Sequence, residues 1–154
     1  MTMAIAVLFG LVIVLVAGES LTKYLVLRID AAYADAPVPP EDKFPSAIWR
    51  DLARRRPGGE DIGRVERLVF YFSSVGGGWA LGVGWLAFKV ASNWQGARTI
   101  NALPSSLTEN ADPEVLRARS FWASRAYVSF MVGTGANLAV ALAAAGIARW
   151  LGWR

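Results

Sequence analysis

The residues able to do chemistry are few, and their types narrow what that chemistry could be. The sequence contains no histidine and no cysteine, which excludes disulfides, Cys or His zinc sites, bis-histidine haem, thiol nucleophiles and the commonest general base. Proton or ion chemistry would fall to Asp, Glu, Lys or Tyr. Glu66 and Arg67 stand where the second apolar segment begins, and with Glu19 they could form a proton or ion site. The plainer reading is that Glu66 complements a helix dipole in an early turn and Arg67 records topology. Gly76, Gly77 and Gly78 lie inside an apolar stretch, without the strand and helix that would make them a phosphate cradle. We expect no catalytic residue, metal or cofactor, and no nucleic-acid partner.

Asn137 is the most informative single residue. It falls in the middle of a long apolar run, where an amide needs hydrogen-bond partners that hydrocarbon cannot supply. Ser73, Ser74 and Thr134 are the candidates to meet it. Two roles follow: polar glue between helices, or part of a polar path formed by Asn137, Thr134, Ser74, Glu66 and Glu19.

These residues sit on elements set by composition. Hydrophobic residues make up 55% of the 154 residues, mean hydropathy is +0.36 and charged residues are 18%, below the roughly 25% of an ordinary soluble domain. One all-α domain is expected: a membrane helical bundle with three transmembrane helices, over about 3–22, 67–91 and 121–149, plus a short amphipathic interfacial helix. The first apolar run lacks a preceding Lys or Arg, so it reads as a spanning helix before a signal peptide. Glu19 and Lys23 are four apart, in the favourable order for a helical ion pair. Polar loops are predicted at 29–63, where Pro37, Pro39 and Pro40 oppose helix, and at 92–112. Within the first, Ser46 to Arg56 reads as the amphipathic helix. Asp112, Pro113 and Glu114 give a helix start signal.

Charge places the bundle across a bilayer. The net charge is +4, and Lys and Arg are denser between Lys23 and Arg67 and at Arg149 and Arg154 than between Lys89 and Arg125. The positive-inside rule then puts the N-terminus outside and the C-terminus inside. Trp49, Arg54, Arg55, Arg56, Lys89, Trp94, Trp150 and Trp153 are expected as interfacial anchors, with Lys89 and Arg125 snorkelling to headgroups.

Helices in lipid associate through small residues four apart. Ser74, Gly78 and Gly82 form one such ladder on the second segment. Ser129, Gly133, Asn137, Ala141 and Ala145 form another on the third, and the two ladders are expected to meet as the central contact. The string GRVERLVFYF at Gly63 to Phe72, with AFK at Ala87 to Lys89 and VGT at Val132 to Thr134, resembles a pattern in uncharacterised bacterial inner-membrane proteins. That resemblance implies a bacterial cytoplasmic-membrane setting and carries no activity. The expected function is non-enzymatic: an accessory subunit or homo-oligomeric scaffold whose partners are the lipid bilayer and itself or another membrane protein. The alternative is an oligomeric small channel or transporter with a polar path near Asn137.

Overall fold

The computed structural model describes residues 2–33, 59–101 and 113–152, which form four helices and, among the described residues, no strand. We number them α1 (Met3–Ala32), α2 (Gly59–Gly76), α3 (Trp79–Asn101) and α4 (Pro113–Gly152). The all-helical expectation holds. Two helical stretches, Met3–Ala32 and Tyr127–Gly152, are long and apolar enough to cross a membrane, and Trp79–Ser92 is a shorter apolar one.

The second apolar segment is not the single spanning helix that its hydropathy predicts. It breaks after Gly76; Gly77 takes a φ of 74° and α3 restarts at Trp79. That left-handed geometry is cheap only for glycine, and it folds α3 back along α2. Gly82 then lies against Ser73 and Phe70, both at 3.5 Å from the position of an added Cβ, and Lys89 pairs with Glu66. Each pair is equidistant from the turn, as an antiparallel helical hairpin requires.

The other half of the fold is an antiparallel pair of α1 and α4. Its seam on α1 is a ladder of small residues at four-residue spacing, Ala6, Gly10, Val14 and Gly18, all buried. Opposite them Asn137, Ala141, Ala144, Ala145 and Ala148 are buried on α4. A Cβ on Gly10 would stand 3.1 Å from the Ala144 carbonyl, and one on Gly18 would stand 3.4 Å from Val140, so backbones approach to a distance that larger side chains forbid. Val14, Phe70, Tyr71, Ala141, Ala144 and Ala145 form the apolar centre where α2 joins this pair.

Several boundaries differ from the sequence reading. Helix α1 continues to Ala32, where the Tyr33 N–H donates to the Ile29 carbonyl at 3.1 Å and the Tyr33 ring packs edge-on to Phe121 at 4.9 Å. Helix α3 runs to Asn101, into the stretch predicted as loop, and α4 begins at Pro113 where the start signal stands. The expected amphipathic helix at 46–56 lies outside the described residues. Met3 lies against Gly152, whose added Cβ would be 3.4 Å from the Met3 Cα, so both ends of the chain share one end of the bundle. Three crossings are not confirmed: two described helical stretches are long and apolar enough to span.

Candidate polar site inside the bundle

The buried face of α2 follows helical spacing: Gly63, Glu66, Arg67, Phe70, Tyr71, Ser73 and Ser74. Positions three and four apart share a face, and on this helix the inward face carries charge. Glu66 is 1% exposed and Arg67 3% exposed, which requires partners inside the protein.

Those partners form one continuous layer across all four helices. Arg67 donates from Nη1 to the Asn137 Oδ1 at 2.9 Å, and Thr22 of α1 donates to the same oxygen at 3.0 Å. On its other side the Asn137 amide donates from Nδ2 to Glu66 Oε2 at 2.8 Å. Two donors on the oxygen and a carboxylate on the nitrogen fix which way the amide faces. Glu66 Oε1 meets the ammonium of Lys89 from α3. Lys89 donates in turn to Thr134 Oγ1 at 2.7 Å and sits 5.0 Å from the centre of the Phe130 ring. The layer thus joins one carboxylate to two cations, to Lys89 directly and to Arg67 through the Asn137 amide.

Close backbone makes room for it. A Cβ on Gly63 would approach Asn137 Nδ2 at 3.4 Å and Arg67 Nη1 at 3.6 Å, and one on Gly18 would collide with the Arg67 side chain. Beside the layer, on the exposed faces of α1 and α2, stand surface pairs: Lys23 with Glu19 at 2.9 Å, and Arg64 with Glu19 and with Asp61, each at 3.4 Å. Farther along α2, Tyr71 donates to the Val7 carbonyl at 2.6 Å. The Ser73 hydroxyl and Trp85 Nε1, both along the α2–α3 seam, are buried without a hydrogen-bond partner among the described residues.

The residues singled out from sequence fall into separate places. Asn137, Glu66 and Thr134 are in the layer, but Asn137 is met by Thr22, Arg67 and Glu66 instead of Ser73, Ser74 or Thr134. Ser74 donates to the Phe70 carbonyl of its own helix at 2.7 Å. Glu19 stays with the exposed pairs. The expected central contact between two small-residue ladders does not form: nothing approaches within 4 Å of an added Cβ on Gly78 or Gly133, and Gly82 serves the hairpin. Ser129 is half-buried, while Ala141 and Ala145 pack in the core. Lys89 does not snorkel but turns inward, and Arg125 pairs with Asp30 at 2.8 Å. Trp150 is exposed near the shared end. Trp49, Arg54, Arg55, Arg56 and Trp153, and the side chain of Trp94, lie outside the described residues.

Sequence reasoning missed Thr22, Lys89 as a part-buried, inward-turned partner of Glu66, and the α1 ladder. The ladder was visible as Ala6, Gly10, Val14 and Gly18 at constant spacing; Thr22 is its next step. Among the described residues no group of three or more acidic, His or Cys side chains could hold a metal ion. No protein-family model, curated protein or solved structure matches the chain.

Proposed function

We propose that this chain is an integral membrane protein of the bacterial cytoplasmic membrane that acts without catalysis, as an accessory subunit or self-associating scaffold. The observation that carries the reading is an inverted polarity. Leu8, Val16, Leu81, Val83 and Phe88 are each more than 60% exposed, whereas Glu66, Arg67, Thr134 and Asn137 are buried. In water this arrangement would be costly on both counts; in hydrocarbon apolar side chains belong outside and polar ones must pair within. The membrane setting also follows from the resemblance carried by Gly63 to Phe72.

In this reading α1 and α4 cross the bilayer, and the α2–α3 hairpin inserts beside them from the side of the connecting segments. At about 1.5 Å per residue, the 30 residues of α1 exceed the roughly 30 Å hydrocarbon core, so its last turns stand clear of lipid with the start of α4. Both termini then share a side. Apart from Arg149, Arg154 and the inward-turned Arg67 and Lys89, the Lys and Arg residues then belong to the opposite side, which the positive-inside rule makes cytoplasmic. Trp79 at the hairpin turn and Trp150, each about half exposed, suit the outer interface.

The absence of cysteine makes placement directly testable. Thr2→Cys should react with an impermeant maleimide in intact cells, and Ser105→Cys only after lysis; the reverse pattern would overturn the orientation. Mass measurement of the detergent-solubilised assembly tests the role. A homo-oligomer or a stoichiometric complex is expected, and a lone protomer would refute it. A channel or transporter gains support from one separate fact, the ionisable Glu66 in the interior, since such groups in membrane segments mark ion or proton pathways. Flux through proteoliposomes that disappears in Asn137→Leu would favour that second reading.

A further inference from the structure

We propose that Glu66, Thr134 and Phe130 form a binding site for a primary ammonium ion, and that Lys89 occupies it as a tethered, displaceable cation.

The three groups around the Lys89 nitrogen are the components of an ammonium receptor. The Glu66 carboxylate, 1% exposed, supplies the opposite charge. Thr134, also buried, accepts a hydrogen bond at 2.7 Å, and the Phe130 ring offers its face at 5.0 Å. An ammonium has three donors and no acceptor, and a ring face attracts a desolvated cation. Glu66 is held independently of Lys89 by Asn137. The receptor therefore belongs to α2 and α4, while its occupant comes from α3.

Helix α3 is tied to the rest of the bundle less extensively than α1, α2 or α4. Among its described side chains the polar connection to both α2 and α4 passes through Lys89, and its outer face carries the exposed Leu81, Val83, Phe88 and Val90. At its root nothing lies within 4 Å of an added Cβ on Gly76, Gly77 or Gly78; the arm is held farther along, where Gly82 meets Ser73 and Phe70 and where Trp85 and Leu86 pack against the core. The docked seam also leaves the Ser73 hydroxyl and Trp85 Nε1 without partners among the described residues, so docking of α3 carries the cost of two unpaired polar groups. Exchange conserves charge, because Lys89 leaves as an ammonium and an ammonium takes its place.

The same chemistry is offered by a free alkylammonium ion and by the ethanolamine headgroup of a lipid. The test uses the full chain. Lys89→Ala empties the receptor, and its melting temperature in phosphatidylcholine nanodiscs should fall. Millimolar propylammonium should restore it saturably if the ligand is free, and phosphatidylethanolamine nanodiscs should do so if it is a headgroup. Propan-1-ol and sodium chloride should do neither, and Lys89→Ala/Glu66→Gln should not respond. Rescue by neither ammonium source, or equal rescue by propan-1-ol, overturns the site. A second arm needs no change at Lys89. Ser73→Cys/Gly82→Cys places two Cβ atoms about 3.5 Å apart, within disulfide range, and so locks the arm. The reduced form should show saturable binding of propylammonium by ligand-observed NMR or a melting shift in phosphatidylethanolamine; the oxidised form should show neither. Equal behaviour of the two forms refutes displacement. These outcomes are independent of the accessory role, which mass measurement decides.

Discussion

Asn137 hands its two ends to opposite charges: its amide nitrogen donates to Glu66 at 2.8 Å while its oxygen accepts from Arg67 at 2.9 Å. Glu66 and Arg67 are neighbours in sequence, so one side chain on α4 clamps two consecutive residues of the hairpin to the α1–α4 pair. That makes the amide a spacer between a buried anion and a buried cation; its removal leaves Glu66 with Lys89 but takes from Arg67 its hydrogen-bond acceptor among the described residues.

Asn137→Leu should therefore cost more than an ordinary interhelical hydrogen bond, which averages about 0.6 kcal/mol in a membrane protein. Stranding a buried charge costs about 3–5 kcal/mol, and we expect a loss of at least about 3 kcal/mol by that principle. Reversible unfolding in mixed micelles measures it. A change under about 1 kcal/mol, the scale of a single neutral bond, would show that the layer is solvated and not a clamp.

Gly10 and Tyr71 test the fit of the hairpin against α1. A Cβ on Gly10 would collide with the Tyr71 hydroxyl and lie 3.1 Å from the Ala144 carbonyl, which is backbone and cannot turn aside. Gly10→Ala should destabilise by about 1–3 kcal/mol through overpacking. Tyr71→Phe should cost about 1 kcal/mol for the bond to Val7. In the double variant part of the clash is gone, so the combined loss should be smaller than the sum of the two. Strict additivity in the same unfolding assay would mean that the two side chains do not share this space.

At the hairpin turn the three glycines should respond differently. Gly77 has a φ of 74°, and forcing an L side chain there costs roughly 1–2 kcal/mol. Gly76 and Gly78 have open space around them, so alanine at either should change stability by about 0.5 kcal/mol or less, as at ordinary surface sites. Equal effects at all three positions, measured by thermal melting, would contradict the turn and restore a continuous helix.

What the sequence made legible follows from which forces act locally. Apolar length alone defines α1 and the distal part of α4, and Pro113 fixes where α4 begins. The turn at Gly77 was hidden because hydropathy is blind to backbone handedness: GGG between Val75 and Trp79 reads as apolar whether the chain continues or reverses. Once it reverses, the inferences that rested on a straight helix change together. Gly78 leaves the packing seam, Met3 and Gly152 come together, and Lys89 turns from its expected interfacial place toward Glu66. Asn137 was recognisable because a lone amide in an apolar run must be satisfied, but its partners were not. They come from residues 115, 70 and 71 positions away in the chain, and spacing within a helix carries no information about them.

The charge pair within the layer gives the last test. Glu66→Gln leaves the Lys89 ammonium beside a neutral amide, and Lys89→Met leaves the Glu66 carboxylate with the Asn137 amide alone. Lys89→Met should destabilise by about 3 kcal/mol or more, because the buried Glu66 carboxylate loses its counter-charge; Glu66→Gln should cost less, because the Lys89 ammonium that it strands is only partly buried. The double variant Glu66→Gln/Lys89→Met removes both ions and keeps the volume and the bond to Asn137. Its loss should fall below that of either single variant, since isosteric replacement of a buried pair is often neutral or stabilising. The same variants separate structure from transport. If the double variant is stable and assembles normally yet abolishes a proteoliposome flux present in the parent, the pair is an ion site. If stability, assembly and flux all survive, the charges serve only to fix where α3 docks.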